Sequence, residues 1–298
     1  NIATADSASR SVVGGPLFDN GGNVDAGRTS FFSDATLSGE FSGNSVNAQL
    51  GFSVALEADN AIAGRPSQLV SAQNNTGQVD TYSFNGSAWT TNTINLTQTG
   101  AQRGYRYGYS VDLSGLVAVI GAPGSREDAL NLPPGAARAG VVETLDKPGI
   151  TWAKDTDSTV IATLDLPNLA TNQFFGQDVD MTADWLVVGV ASDNLRGANS
   201  GAVYVYRKLA GVWTPHSRLM PQYGAPGDLF GQAVSVHGNR IIVAAPGADG
   251  FPTTVSNAGA FHVFEFNGTQ WAETVFVTSP NAVVNGAFAA SVDLQGDV

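Results

Sequence analysis

The chain repeats one pattern of apolar and polar positions. At residues 230–250 a glycine opens an alternating apolar run, a tight polar turn follows, and a second apolar run ends on small residues and proline, reading FGQAVSVHGNRIIVAAPGADG. Three other segments match it without a gap: LGFSVALEADNAIAGRP (50–66), YGYSVDLSGLVAVIGAP (107–123) and FGQDVDMTADWLVVGVA (175–191). Four copies at a spacing of roughly sixty residues indicate a repeat protein in which each copy is one structural unit.

Each copy predicts a sheet of four antiparallel strands. After the two runs, a variable polar segment leads to a third apolar run that also opens on glycine, and a fourth run surrounds a tryptophan. The third runs read GQVDTYSF (77–84), GVVETL (140–145), GAVYVY (201–206) and GAFHVFEF (259–266). Short apolar runs bounded by Gly, Asn, Asp or Pro are typical of strands. Asn-Gly pairs at 85–86 and 267–268 predict two-residue type I′ turns before the fourth strand.

A four-stranded sheet with two apolar faces has to be covered on both. Packing the copies face to face covers them, which predicts an all-β fold, a β-propeller with one four-stranded antiparallel blade per repeat. The whole chain, 1–298, is then a single domain. Its repeats are expected at 289–298 plus 1–50, 51–107, 108–175, 176–230 and 231–288.

The two ends of the chain bear on the number of blades. The segment FAASVDLQGDV (288–298) reads as a fifth first strand, and NIATADS at the N-terminus continues it in phase as a second strand. This register predicts five blades, closed by the C-terminal strand pairing with the N-terminal segment, so that no sheet edge stays open. An alternative register takes SRSVVGGP (9–16) as the second strand, and the chain is then a fragment of a six- or seven-bladed propeller.

The repeat resembles the FG-GAP repeat, the blade unit of the integrin α-subunit head and of many bacterial surface proteins. The residues that carry the resemblance are Phe230-Gly231, Phe175-Gly176, Gly121-Ala122-Pro123 and the near match Ala244-Ala245-Pro246. The resemblance implies a non-catalytic recognition or adhesion module on the surface of a bacterial cell or outside it. Such a module binds a protein or a glycan, as a monomer or as part of a larger surface protein.

The resemblance is to the calcium-free variety of the family. Integrin-type blades carry an Asp-x-Asp-x-Asp-Gly loop between the first two strands, whereas the present chain has only EAD, LSG, TAD or HGN there. We therefore expect no required cofactor.

Composition and charge narrow the range of partners. Charged residues make up 13% of the chain, about half the usual fraction, while 43% is apolar and supports a large core. The net charge of -12 disfavours nucleic acids and anionic membrane surfaces. The chain has no cysteine, which excludes disulfides and thiolate metal sites. It also lacks an apolar run of about eighteen residues, so direct membrane insertion is not expected.

The long connections between second and third strands form the expected binding surface, because loops on a rigid scaffold commonly carry function. Tryptophans recur at one position in four of the five repeats, at Trp89, Trp152, Trp213 and Trp271, which favours packing between blades over ligand contact. Aromatic and basic residues outside the regular pattern are the better candidates for ligand contact: Tyr105, Arg106, Tyr107, Tyr223 and Phe251.

Carboxylates at repeated first-strand positions raise an alternative. Asp112, Asp180 and Asp293 each lie four residues after the start of a repeat, where inner strands line the axial channel. Converging there, they would bind a cation or act on a sugar, which defines the alternative of a glycan-active enzyme, glycosidase-like or lyase-like. Short polar residues at strand ends also commonly accept hydrogen bonds from backbone amides. A structural spacer in a large surface protein is the third alternative.

The loop FDNGGNVDAG presents a candidate calcium site. Asp19, Asn23 and Asp25 supply hard oxygen ligands at nearly alternating positions. The loop lacks a full set of acids, and an ordinary Asx-rich turn explains the same residues.

Overall fold

The computed structural model is all-β. It describes residues 2–5, 10–68, 76–95, 105–124, 140–147, 152–154, 173–250 and 255–296, and none of these residues is helical. Five antiparallel sheets of four strands each confirm the predicted β-propeller class. The chain forms two compact units, Asn1–Thr163 and Leu164–Val298. No helix in the described part of the chain has the length and hydropathy needed to cross a membrane.

The first unit contains three sheets, each ordered as the strands follow along the chain. The first comprises β1 (Ile2–Ala5), β2 (Arg10–Gly15), β3 (Arg28–Ser33) and β4 (Thr36–Ser42). The second comprises β5 (Val54–Glu57), β6 (Asn60–Arg65), β7 (Gln78–Phe84) and β8 (Trp89–Asn95). The third comprises β9 (Ser110–Ser114), β10 (Val117–Ala122), β11 (Val141–Asp146) and β12 (Ala153–Lys154).

The second unit contains two sheets of the same order. One comprises β13 (Asp178–Met181), β14 (Trp185–Val190), β15 (Ala202–Leu209) and β16 (Val212–Leu219). The other comprises β17 (Val234–His237), β18 (Arg240–Ala245), β19 (Ala260–Phe266) and β20 (Trp271–Thr278). In every pair the register is antiparallel; Val234 on β17, for example, lies opposite Val243 on β18.

Within each unit, the cores lie between consecutive sheets. In the first unit Trp89 on β8 is buried and stacks on Phe31 of the preceding sheet, with ring centroids 4.1 Å apart. In the second unit Trp271 on β20 lies edge-on to Trp185 of the preceding sheet, at 5.1 Å. The recurring tryptophans therefore pack between sheets, as the repeat predicts.

The register predicted for the N-terminus is wrong. Residues 2–5 form β1 and pair with β2, so that Ile2 lies opposite Val13, and the second strand is Arg10–Gly15. The first sheet thus has its own first strand, which residues 288–298 were expected to supply. Within the described residues 288–296, moreover, no strand is formed. The structure agrees with the alternative register, because the short IATA run completes the sheet locally.

The turns before two of the fourth strands also differ from the prediction. A type I′ turn needs positive φ at both central residues, yet only the glycine of each Asn-Gly pair has it, with φ 95° at Gly86 and 97° at Gly268. Asn85 instead accepts hydrogen bonds through Oδ1 from the amides of Ser87 and Ala88. The asparagine side chain therefore closes a longer turn than the sequence predicts.

Candidate functional site: the loop face of the second unit

Each sheet of the second unit has tight turns at one end and long connections at the other. We define the loop face as the long connections, residues 191–201, 220–230, 246–250, 255–259 and 279–288. Backbone hydrogen bonds join them in series. Gly227 N donates to Ala198 O at 2.9 Å, and Gly247 N donates to Asp228 O at 3.0 Å. Asn285 N then donates to Ser256 O at 3.0 Å. The connections therefore fix one another's backbones.

Side chains add a second set of restraints. The guanidinium of Arg196 donates to the carbonyl oxygens of Pro221 and Gln222. From the other side, the Gln222 amide donates to Glu273 Oε2 at 2.8 Å. Arg196 and Glu273 thus fix the backbone of Pro221 and Gln222, the two residues immediately before Tyr223.

A buried histidine lies beneath this connection. His262 Nδ1 is 2.7 Å from Glu273 Oε1, so Glu273 bridges the imidazole and the Gln222 amide. Burial lowers the pKa of His262 below its usual range. The imidazole is therefore neutral at neutral pH and donates its Nδ1 proton to the carboxylate, which orients Glu273 toward the Gln222 amide.

The loop face exposes apolar side chains although hydrogen bonds join the backbones of its connections. Tyr223 is 80% exposed, Val284 68%, Val283 62% and Leu195 49%. Only Tyr223 was predicted from the sequence as a contact residue. The signal for the others was an apolar residue inside a Gly-, Asn- and Pro-rich stretch, as in SPNAVVNGAF, where no strand pattern accounts for it.

The remaining predicted contact residues are distributed differently. Tyr105 and Tyr107 are fully buried in the core of the first unit, where they pack rather than face a ligand. Arg106 between them is exposed, with φ 57°, and its guanidinium lies 5.6 Å from the ring centroid of Tyr109. Phe251 lies outside the described residues. Because side chains alternate along the chain, Tyr105 and Tyr107 lie in the core while Arg106 is exposed. The aromatic residues that are close in the sequence therefore do not form a surface cluster.

The predicted calcium loop is organised by its own hydrogen bonds. Asp19 Oδ1 accepts the Asp25 amide at 2.9 Å, while the backbones of Asn20 and Asn23 bond to each other. In the part of the chain that the structure describes, no three His, Asp or Glu side chains are placed to hold a metal ion. The geometry is that of an Asx-rich turn.

The first-strand carboxylates lie between consecutive blades. Asp180 Oδ2 accepts the Val236 amide of the next first strand at 2.6 Å, and Asp178 Oδ2 accepts the Val234 amide at 2.8 Å. In the first unit the Ser53 hydroxyl accepts the Val111 amide in the same way, at 3.1 Å. We call this arrangement the inter-blade ladder.

The other two predicted axial carboxylates differ in their surroundings. Asp293 is exposed and accepts the amide of its neighbour Leu294 at 2.9 Å. Asp112 on β9 is partly buried and belongs to the first unit. Within the second unit, therefore, both Asp180 and Asp293 bond to backbone amides.

Comparisons with known proteins agree with this architecture. Residues 160–206 and 213–264 match the family model described as FG-GAP repeat. No curated protein sequence matches the chain.

Three solved structures share the fold at low sequence identity. A functionally unknown protein from Desulfotomaculum acetoxidans aligns with TM-score 0.54 at 11% identity, covering 91% of this chain and 67% of that one. The periplasmic gluconolactonase PpgL of Pseudomonas aeruginosa aligns with TM-score 0.50 at 11% identity, covering 91% and 68%. A chain from a study of two prolyl endopeptidases aligns with TM-score 0.54 at 16% identity, and this chain spans 34% of its length. At these identities the likeness is one of fold alone.

Proposed function

We propose that this chain, a β-propeller built of FG-GAP repeats, is a non-catalytic recognition module that binds a protein ligand through the loop face of its second unit. The observation that carries the proposal is the exposure of Leu195, Tyr223, Val283 and Val284 on connections whose backbones are fixed by hydrogen bonds. A rigid surface loses little conformational entropy when it binds, so exposed apolar groups there contribute directly to affinity.

A protein ligand fits this surface better than a glycan. Three of the four exposed groups are aliphatic, and aliphatic side chains with a tyrosine are suited to burial in a protein interface. The tryptophans that stack on sugar rings in many binding sites are unavailable, because Trp89, Trp152, Trp213 and Trp271 are all buried. The net charge of -12 further favours a neutral or basic partner.

The hydrogen bonds of the carboxylates support a non-catalytic role. A glycosidase pair needs two carboxyl groups about 5 to 10 Å apart that face a sugar. Each oxygen of Asp180 accepts a backbone amide, from Val236 at 2.6 Å and from Met181 at 3.0 Å, as in a carboxylate that stabilises the fold. We propose a location outside the cell or on its surface, since the FG-GAP repeats of this chain resemble those of extracellular proteins.

An array of immobilised extracellular proteins and glycans tests the proposal. The wild-type chain is compared with Tyr223→Ala and Val284→Ser, two exposed positions where truncation leaves the core intact. The matched control is Leu209→Ser, which is 50% exposed at the tight turn between β15 and β16.

We expect binding to protein spots that falls at least tenfold, about 1.4 kcal/mol, in the two loop variants and is unchanged in the control. Binding to glycans alone, or equal binding by the loop variants and the wild type, would contradict the proposal.

A further inference from the structure

The outer edge of the second sheet is a regular strand. Its fourth strand, β8, pairs with β7 over all seven of its residues, Trp89–Asn95, without a register shift. Its sequence, WTTNTIN, contains no charged residue, no proline and no glycine. Threonine, isoleucine and tryptophan are among the residues that favour strands. β8 therefore has the features of an edge strand that accepts a further strand.

The other fourth strands carry features that oppose such pairing. β4, β16 and β20 each pair with their third strands through a register shift, which twists an edge away from a partner. β4 also contains Glu40, β16 contains Pro215 and β12 contains Lys154. Among the fourth strands as the structure describes them, β8 alone lacks a shift, a charge and a proline.

The backbone of β8 offers donors and acceptors at this edge. Asn85 N donates to Ala88 O at 3.1 Å, and the alternation of antiparallel pairs then directs the backbone groups of residues 90, 92 and 94 toward β7. The amides and carbonyl oxygens of Thr91 and Thr93 face the other way, and no described residue bonds to them. The edge therefore presents two donors and two acceptors between its ends.

Side chains hold β8 in place on both of its faces. Trp89 is buried and stacks on Phe31 of the first sheet. On the opposite face, Ile94 packs against the core between the second and third sheets. The hydroxyl of Thr93 donates to Asp80 Oδ1 at 2.7 Å. A strand that is fixed in this way loses little conformational entropy when it binds.

We propose that β8 pairs antiparallel with β8 of a second copy of the chain, about a two-fold axis at Asn92, so that two four-stranded sheets form one of eight strands. A two-fold interface uses the same surface of both copies, so the strand has to be complementary to itself. With Asn92 opposite Asn92, Thr91 lies opposite Thr93, and residues 89–95 of both copies overlap completely. Because Thr91 and Thr93 both face outward, they exchange backbone hydrogen bonds.

The side-chain pairs and the alternation favour this register over its neighbours. Cross-strand threonine pairs and an amide pair at the axis stabilise a sheet, and no like charges meet. A shift by one residue places outward-facing backbone groups opposite inward-facing ones, and the bonds are lost. A shift by two shortens the overlap to residues 89–93 or 91–95. The strand is thus most complementary to its own full length.

Electrostatics determine how the association depends on salt. Each copy has a net charge of -12, which opposes association at long range, whereas β8 brings no charge into the interface. Salt screens this repulsion, so dimerisation should strengthen as ionic strength rises. One strand per copy makes a small interface, and we expect a reversible dimer with a dissociation constant on the order of 100 μM. The monomer implied by the family resemblance is then the state at low concentration.

Sedimentation velocity of the full chain measures the association. We expect monomer at about 10 μM and mostly dimer at about 1 mM, with a dissociation constant at least threefold lower in about 0.5 M salt than in about 0.02 M salt. Hydrogen exchange should show protection of the Thr91 and Thr93 amides that increases with protein concentration.

A charge swap at the axis tests the pairing. Asn92→Lys and Asn92→Asp each place like charges opposite each other, and each variant alone should dimerise at least tenfold more weakly than the wild type. An equimolar mixture of the two should regain dimerisation, because opposite charges then meet, and a misfolded variant would not recover in this way. The matched control is Thr274→Lys, the same change of charge at an exposed position of β20, which should leave dimerisation unchanged.

A single introduced cysteine tests the register, since the chain has none of its own. Directly opposite residues of a non-hydrogen-bonded pair have Cα atoms about 4.5 Å apart, a distance that a disulfide spans. Asn92→Cys should therefore cross-link two copies under oxidising conditions. Thr90→Cys is exposed on the same face but lies about 14 Å from its counterpart, and should cross-link at least tenfold more slowly.

A chain that remains monomeric at about 1 mM would overturn the proposal. So would an unrecovered mixture of the two Asn92 variants, or equal cross-linking at positions 90 and 92, which are the results expected of a dimer formed through another surface. Since β8 belongs to the first unit and the loop face to the second, failure here leaves the proposed protein-binding function unaffected.

Discussion

Replacing Gly14 by alanine tests how closely consecutive blades approach. Gly14 lies on β2, and a Cβ built on it meets the carbonyl oxygen of Gly51, the glycine that opens the next repeat, well inside van der Waals contact. Gly14 does not have a positive φ, so alanine is compatible with its own backbone conformation. Any destabilisation by Gly14→Ala therefore comes from the neighbouring blade.

The size of the effect follows from what has to move. The obstructing atom is backbone, so the two blades have to separate by about 1 Å, since a flexible side chain is not available to give way. Overpacking of this kind costs about 1–3 kcal/mol. At about 2–4 °C per kcal/mol for a chain of this size, we expect the melting temperature to fall by about 2–12 °C.

The adjacent glycine provides a matched control. A Cβ on Gly15 meets nothing closer than the carbonyl oxygen of Arg28, at 3.9 Å, an ordinary contact. Thermal and urea unfolding of the full chain, followed by circular dichroism, should show Gly15→Ala at or slightly above wild-type stability. If Gly14→Ala is as stable as Gly15→Ala, the blades do not meet at this glycine and the reasoning fails.

Four further predictions concern the polar groups. Asp180→Ala deprives the Val236 amide of its acceptor and should cost about 1–3 kcal/mol in urea unfolding. Burial raises the pKa of Asp178 to about 7 from 3.8, so the folded state retains a proton that the unfolded state releases. Stability should therefore fall as pH rises from about 4 to 7, and Asp178→Asn should flatten that slope. Arg65→Met leaves the buried carboxylate of Asp80 without its ion-pair partner and should cost about 3–5 kcal/mol. The chain is expected to need no metal, so a chelator should leave the melting temperature within about 2 °C. A bound structural metal would stabilise the fold by mass action, and its removal would lower the melting temperature further.

Each of these predictions has a contradicting outcome. Asp293→Ala, which removes an exposed carboxylate, is the control for the ladder, and equal losses in both aspartate variants would argue against it. An unaltered pH slope in the asparagine variant would assign the titration to another group. Arg240→Met breaks the more exposed ion pair with Glu265 and should lower the free energy of unfolding by under about 1 kcal/mol. If it lowers stability as much as Arg65→Met does, burial of the ion pair is not the cause of the large effect at Arg65. A large chelator effect would reveal a metal site.

Local patterns in the sequence predict the blades because each strand run is bounded by turn residues within the same repeat. The N-terminal register was missed because IATADS alternates like either of the first two strands, and pairing with residues 10–13 is what decides between them. In the sequence, Tyr105 and Tyr107 resemble surface aromatic residues. In the structure they lie just before β9, and both are buried.

The loop face was predicted only as a location. Which of its side chains are exposed depends on bonds between distant segments, such as Gly227 N to Ala198 O, and these have no sequence signature. Tyr223 was selected because it is aromatic, whereas Val283 and Val284 are aliphatic and were not selected, although no strand pattern accounts for them.

The inter-blade ladder has a consequence for how such chains grow. In the second unit, β13 offers side-chain acceptors to β17, and β17 offers one to the segment after it: Asp178 accepts the Val234 amide, and Ser235 accepts the Leu294 amide. A gene duplication that copies one repeat therefore delivers both partners of every new junction at once. Substitutions at the acceptor positions, such as Ala55 in place of an aspartate, remove one rung without disturbing the pairing within a blade. Blade number can change in a single genetic event, while the strength of each junction evolves by point mutation.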